Sequence, residues 1–263
     1  MKVHHLNCGT MQFPGAPLVC HVLLLETDGG LVLVDSGFGL DDIARPRARL
    51  GPMAHLLARR LRPEEAAMRQ IEALGLEPND VRHIIVTHFD ADHIGGLSDF
   101  PQAEIHTTAA EVLAAVTHPD RRAKVRYRAP QWRHGPRLVE HTPQGESWLG
   151  FAAAKELGDI APGIVLVSLP GHTRGHACIA VQDGARWLFH AGDAFYHPSA
   201  IGEGGTAPMS LRILERLVAV DYRRVLENHA RLSELHRRPE PDVLVFSAHD
   251  PSLYARALAA ADT

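Results

Sequence analysis

The run His88-Phe89-Asp90-Ala91-Asp92-His93 places two imidazoles and two carboxylates within six residues. No other stretch limits the fold and chemistry of the chain as much. Ile84-Ile85-Val86-Thr87 leads into it, and Ile94-Gly95-Gly96 leads out. This pattern predicts a strand that delivers its polar groups to one tight turn. Carboxylates held that close repel each other, so a cation is the natural partner for Asp90 and Asp92.

Three further segments end in the same manner. Ile164 to Leu169 runs into Pro170-Gly171-His172-Thr173-Arg174-Gly175-His176. Trp187 to Phe189 is followed by Ala191-Gly192-Asp193, and Val243 to Phe246 by Ser247-Ala248-His249-Asp250. Repeated delivery of a His or Asp at the end of an extended apolar segment is how a sheet presents ligands along one edge. His88, Asp90, Asp92, His93, His172, Asp193 and His249 are therefore the candidate ligands. Imidazole and carboxylate donors suit zinc first, with iron and manganese open. Divided between two divalent ions, these groups leave room for water at each. Two ions about 3.5–4 Å apart hold a hydroxide and polarise a carbonyl or phosphoryl oxygen, which makes hydrolysis the natural reaction. His176 reads as a supporting group and Asp35 as one that orients the 88–93 turn. His249 is preferred to its neighbour Asp250 as the inward group.

With 263 residues, of which 45% are hydrophobic, the chain predicts a single domain over 1–263. No apolar run approaches the roughly 20 residues that span a bilayer. Met1-Lys2-Val3-His4-His5 does not open an apolar leader, so the expected location is cytoplasmic, without a membrane partner. A net charge of −4 excludes a basic nucleic-acid stripe as the dominant feature. The local cluster Arg121-Arg122-Ala123-Lys124-Val125-Arg126-Tyr127-Arg128 reads as a solvated helix face or a substrate rim. Cys8, Cys20 and Cys178 have no CxxC spacing, and predict buried thiols rather than a disulfide framework. Histidine is abundant, at 18 residues, yet His55, His106, His118, His229 and His236 read as ordinary helix or surface histidines.

Strands are expected at Val19 to Glu26, Leu31 to Asp35, His83 to Thr87, Glu104 to His106, Ile164 to Leu169, Ala177 to Gln182, Trp187 to Phe189 and Asp242 to Phe246. Thr27-Asp28-Gly29-Gly30 and Asp183-Gly184 predict hairpin turns. Helices are expected from Pro63, with Ala67, Ile71 and Leu74 on one face, from Ala109 to Val116, from Ser210 to His236 with a break near Val220-Asp221, and from Pro251 to Ala260. The segment from Thr117 to Gly150 has weak periodicity and reads as an insertion or lid, where Tyr127, Trp132, Trp148 and Phe151 either line a pocket or pack. Hairpins in both halves rule out one classical parallel sheet. Two mixed sheets packed face to face, flanked by helices, fit better.

These residues resemble the metallo-β-lactamase-fold hydrolases, from the Val34-Asp35-Ser36-Gly37 turn to His249. That family carries H-x-H-x-D-H, then a His in a P-G-H-T-x-G-H context, then an Asp and a final His. The resemblance implies an αββα sandwich and a dinuclear site. One ion would take His88, Asp90 and His172, the other Asp92, His93 and His249, with Asp193 bridging. The chain departs from the pattern at Asp90, where the family has its second histidine. A carboxylate there resembles the H-x-E-x-D-H of flavodiiron proteins and makes that position harder, which favours iron or manganese.

Within the superfamily the chain is most similar to the lactonase-type branch. Tyr196 lies three residues past Asp193, where N-acyl-homoserine lactonases hold a tyrosine that hydrogen-bonds the lactone. The resemblance thus implies hydrolysis of a carboxylic ester, most simply a lactone, with Tyr196 steadying an oxyanion and Asp92 assisting proton transfer. The alternative for Tyr196 is packing under the following loop. Glyoxalase-II-type thioester hydrolysis, a diiron redox protein, and a metal-bound binding protein without turnover remain open. The implied partner is a small ester or lactone, with a homodimer open.

Overall fold

The structure, a computed structural model, describes residues 1–54 and 60–261. His55 lies outside them. Two six-stranded mixed sheets make the centre of the molecule. The first has the order β1 (Lys2–Phe13), β2 (Ala16–Thr27), β3 (Gly30–Val34), β4 (Val81–Ile85), β5 (Glu104–Thr108), β6 (Arg137–His141). The second has the order β12 (Val243–Phe246), β11 (Arg186–His190), β10 (Ala177–Asp183), β9 (Ile164–Ser168), β8 (Phe151–Glu156), β7 (Glu146–Trp148). β3 to β6 run parallel, as do β11 and β12; the other neighbours are antiparallel.

The central strands read as continuous apolar runs because both their faces are covered. Leu23, Leu25, Val32, Val34 and Ile85 join Ile164, Leu166, Ile179 and Phe189 in one cluster spanning both sheets. Their alternates Leu24, Leu31, Leu33, Ile84 and Val86 join a second cluster with Ala67 and Ile71 of a flanking helix, Ala67–Ala73. On the other side, Leu232 and Leu235 of the helix Tyr222–His236 pack onto the first cluster. The layers are therefore helix, sheet, sheet, helix.

Several expected elements need revision. β1 was not anticipated, because its polar Asn7 and Thr10 and the histidines at 4 and 5 mask its alternation. Leu74 is 45% exposed, since the helix ends at Ala73. The segment 117–150, read from the sequence as an insertion or lid, carries regular elements. It holds the helix Arg121–Arg126 and supplies the last strand of one sheet, β6, and the last of the other, β7. Both are short edge strands, which carry little apolar signal. The break near Val220 is present, between the helices Met209–Val218 and Tyr222–His236. Among the described residues, no helix is long and apolar enough to cross a membrane.

Candidate metal centre

The sheets are joined at one edge, where the candidate ligands lie. The Val19 and His21 amides donate to the carbonyls of His249 and Ala248 at 3.2 and 2.8 Å, and the Ala177 amide donates to the Thr87 carbonyl at 3.0 Å. After β4 the chain turns through His88 into a single helical turn, Ala91–Ile94. Gly95 is required there: a Cβ would come within 2.0 Å of Asp42 Oδ2 and 2.8 Å of the Gly37 carbonyl.

Supporting groups set three of the imidazoles. His93 Nδ1 donates to Asp35 Oδ2 at 2.8 Å, and His249 Nδ1 donates to the Val19 carbonyl at 2.7 Å. The Thr87 hydroxyl donates to Asp35 Oδ2 at 2.8 Å and so accepts from His88 Nδ1 at 3.0 Å. With Nδ1 engaged as a donor, the Nε2 lone pair of each ring is left for the centre. His176 is a supporting group: its Nδ1 donates to the Leu169 carbonyl, and its Nε2 accepts the Asp193 amide at 3.1 Å. Gly192 lies at φ +53, and a side chain there would meet His176 Nε2 at 2.7 Å.

Two groups of ligand atoms result. In the first, His172 Nε2 lies 3.2 Å from His88 Nε2, 3.0 Å from Asp90 Oδ2 and 3.4 Å from Asp193 Oδ2. In the second, Asp193 Oδ1 lies 3.1 Å from both His93 Nε2 and His249 Nε2, and His249 Nε2 lies 3.4 Å from Asp92 Oδ2. Ligands about 2.0–2.1 Å from a tetrahedral zinc lie roughly 3.3 Å apart, and two trios, His88–His172–Asp193 and His93–Asp193–His249, have all their ligand atoms within 4.8 Å of one another, with Asp90 and Asp92 beside them. The second set has a further sign: His93 Nε2 and Asp193 Oδ1, 3.1 Å apart, are buried and meet no hydrogen-bond partner outside the set. Buried polar atoms are rarely left so, and a cation would satisfy both. Cys20, Asp92 and His249 also offer atoms within 4.8 Å of one another, with Cys20 a buried thiol. Asp250 points away and accepts from the Ser252 and Leu253 amides at the start of the final helix.

All seven candidate ligands thus converge, but sequence reasoning missed two residues beside them. Arg126 donates through Nε to Asp90 Oδ1 and through Nη2 to Asp90 Oδ2, both at 2.5 Å. Its Nη2 also donates to His172 Nε2 at 2.7 Å. Arg121 and Arg122 of the same helix are exposed, yet Arg122, Arg126 and Arg128 all line the cavity above the centre, so the basic cluster is in part a rim of that cavity. Glu111 is the second. Its carboxylate accepts from the Phe89 and Gly175 amides, both at 3.0 Å, from Thr173 Oγ1 at 2.7 Å and from the Tyr127 hydroxyl at 3.1 Å. Thr108-Ala109-Ala110-Glu111 was legible only as a helix start.

The electrostatics follow. Burial would raise the Asp90 carboxyl, but Arg126 and the neighbouring imidazoles hold it well below the usual range. Burial and then Arg126 lower His172 to about 4. Burial would also raise Asp193, yet His249, His93 and His172 bring it well below. Tyr196 is pushed well above an ordinary phenol, by burial and then by Asp193. Its hydroxyl donates to Asp193 Oδ2 at 2.5 Å, and its ring stacks on His249.

The centre forms the floor of a cavity of about 940 Å³, which Asp90, Asp92, Asp193, Tyr196 and His249 line together with Met11, Leu18, Leu50, Val125, Leu214 and Leu217. Of the four aromatics considered in 117–151, only Tyr127 lines it. Trp132 packs on Phe89, while Trp148 and Phe151 stack on Phe189. Elsewhere His229 and His236 pair with Glu215 and Glu203. His106 is buried, with its Nε2 3.0 Å from His83 Nδ1 and its Nδ1 3.0 Å from His141 Nε2, so it is not a surface histidine.

Known proteins resemble this chain in sequence and fold. A probable metallo-hydrolase of Mycobacterium tuberculosis is 54% identical over 254 residues, 97% of this chain and 82% of the relative. An N-acyl homoserine lactonase of Rhizobium radiobacter is 23% identical over 189 residues, 69% of this chain and 66% of the relative. The crystal structure of a B. thuringiensis AiiA variant with N-decanoyl-L-homoserine at its active site superposes with a TM-score of 0.69 at 21% identity, covering 97% of this chain and 95% of that one. AidC, a dizinc quorum-quenching lactonase, superposes with a TM-score of 0.59 at 16% identity, over 90% and 74% of the two chains. The sequence profile of the Metallo-beta-lactamase superfamily matches residues 15–249. The chain belongs to the metallo-β-lactamase superfamily and is a metallo-hydrolase of that fold.

Proposed function

We propose that the protein hydrolyses a carboxylic ester, most simply a lactone bearing an apolar substituent. The observation that carries this reading is the placement of Tyr196. Its hydroxyl meets Asp193 in a cavity lined by apolar residues, among them Leu18, Leu50, Leu214 and Leu217, and by Arg122, Arg128 and Arg174. Distant relatives named as N-acyl homoserine lactonases support the same reaction class.

His88, Asp90, His172 and Asp193 would hold one cation, and Asp92, His93, His249 and Asp193 another. Bound there, a divalent ion, zinc before iron or manganese, supplies a hydroxide nucleophile at neutral pH and polarises the ester carbonyl. The chain's own residues do the rest. Tyr196 reaches from Asp193 to the oxygen that gains charge as the carbonyl is attacked. Asp92 lines the cavity, where it takes the proton released by the nucleophile and returns it to the leaving alkoxide. Leu214, Leu217 and Val125 hold the substituent and exclude water from that side. Three unpaired, buried cysteines accord with a cytoplasmic setting.

The test is turnover of a panel of lactones and thioesters by metal-replete protein, beside Asp193→Ala. The expected result is lactone hydrolysis that improves with an apolar substituent and falls at least about 100-fold in the variant. Equal rates for the two proteins would remove the mechanism, and faster thioester turnover would shift the substrate class.

A further inference from the structure

The two halves of the centre are not equivalent. In the second, His93 Nε2 and Asp193 Oδ1 are buried and face only one another and His249 Nε2, at 3.1 Å. In the first, the corresponding atoms are already engaged: both Asp90 oxygens and His172 Nε2 accept from Arg126, and Asp193 Oδ2 accepts from Tyr196. We propose that Arg126 is the resident cation of the first half, so that this protein holds one divalent ion tightly, at Asp92, His93, Asp193 and His249. A second ion enters only by displacing the guanidinium.

Three observations support this. The first is that Arg126 is fully committed. Its Nη1 donates to the Val218 and His172 carbonyls at 2.5 and 3.3 Å, so all five N–H groups have acceptors. A guanidinium satisfied on every side is fixed in place rather than swept in from solvent. The second is that the N–H aimed at His172 Nε2 uses the lone pair an ion would need. One lone pair cannot serve both. The third is charge. Asp90, Asp92 and Asp193 line the cavity with three negative charges. One dication and one guanidinium balance them, with buried Asp35 behind His93 adding one further negative charge; a second dication beside the guanidinium would set five positive charges against these four. Asp90 belongs to the same design, because a histidine there would offer Arg126 no bidentate partner.

The proposal rests on the reading of the chain as a metal-dependent hydrolase, and metal stoichiometry separates the two. The His83–Glu104–His106 group is a separate cluster of possible ligands, so the experiment uses a His83→Ala background. Zinc and cobalt are titrated against a competing chelator, and bound metal is counted by elemental analysis. The parent should hold one ion tightly and a second roughly 100-fold more weakly, the reach of a charge-assisted pair. Arg126→Gln should bind two ions with affinities within about tenfold of each other, and its two-cobalt form should show the magnetic coupling of adjacent ions. Arg126→Lys and Asp90→His give second readings if the glutamine variant does not fold. Two equally tight ions in the parent, unchanged by these substitutions, would overturn the proposal while leaving the hydrolase reading intact. No tight ion in the parent would overturn both.

Discussion

Asp35 and His93 are joined by a 2.8 Å hydrogen bond between Oδ2 and Nδ1, deep beneath the centre. Asp35 sits at φ +59, a backbone conformation that asparagine also tolerates. Asp35→Asn therefore keeps the turn while removing the charge behind His93. Affinity for the tightly held ion should fall about 10- to 100-fold, as measured by chelator competition. Unchanged affinity would mean that His93 needs no partner to hold its orientation.

Tyr196→Phe removes one hydroxyl and keeps the ring stacked on His249. It should lower kcat about 10- to 100-fold while KM and bound metal stay near their original values. Loss of metal together with kcat would instead assign the hydroxyl to holding Asp193.

Glu111→Ala should be among the most damaging substitutions away from the ligands. The carboxylate ties the 88–93 turn, the 172–175 loop and Tyr127 together through four hydrogen bonds. Leaving those donors buried without an acceptor should cost about 2–4 kcal/mol in denaturant unfolding. A loss under about 1 kcal/mol would show that water replaces the carboxylate.

Histidines away from the centre set an acid limit on stability. Burial, then the neighbouring charges of His83, His141 and Lys155, lowers His106 to about 3. Burial, with His190 and His4, lowers His5 to about 4. Their unfolded value is about 6.5, so below that pH the unfolded chain binds more protons than the folded one. Their contribution is complete above about pH 6.5 and drains away as the pH falls toward 4, by up to about 2 kcal/mol per residue at pH 5. His106→Gln should flatten this slope in unfolding curves taken from pH 7.5 to 5. A slope as steep as the parent's would place the titration elsewhere.

The candidate ligands were legible in the sequence because each follows an apolar strand, and a strand that ends in His or Asp carries its own signal. His88, Asp193 and His249 needed no knowledge of the fold. Arg126 and Glu111 did. Arg126 is one of several arginines in a basic run, and only the helix's position over the cavity singles it out. Glu111 follows Thr108 in a pattern that reads as a helix cap, while its carboxylate serves two distant loops. β6 and β7 were hidden for a related reason: each is a short edge strand whose residues answer to one neighbour only.

The candidate ligands hang from both sheets, with the 88–93 turn on one and Asp193 and His249 on the other. An ion held as proposed would consequently be a clasp across the seam of the sandwich. Its affinity and the work needed to part the two sheets are one free energy seen from two sides. Chelation should loosen the whole edge at once, and neither sheet alone can capture the ion before the other has docked.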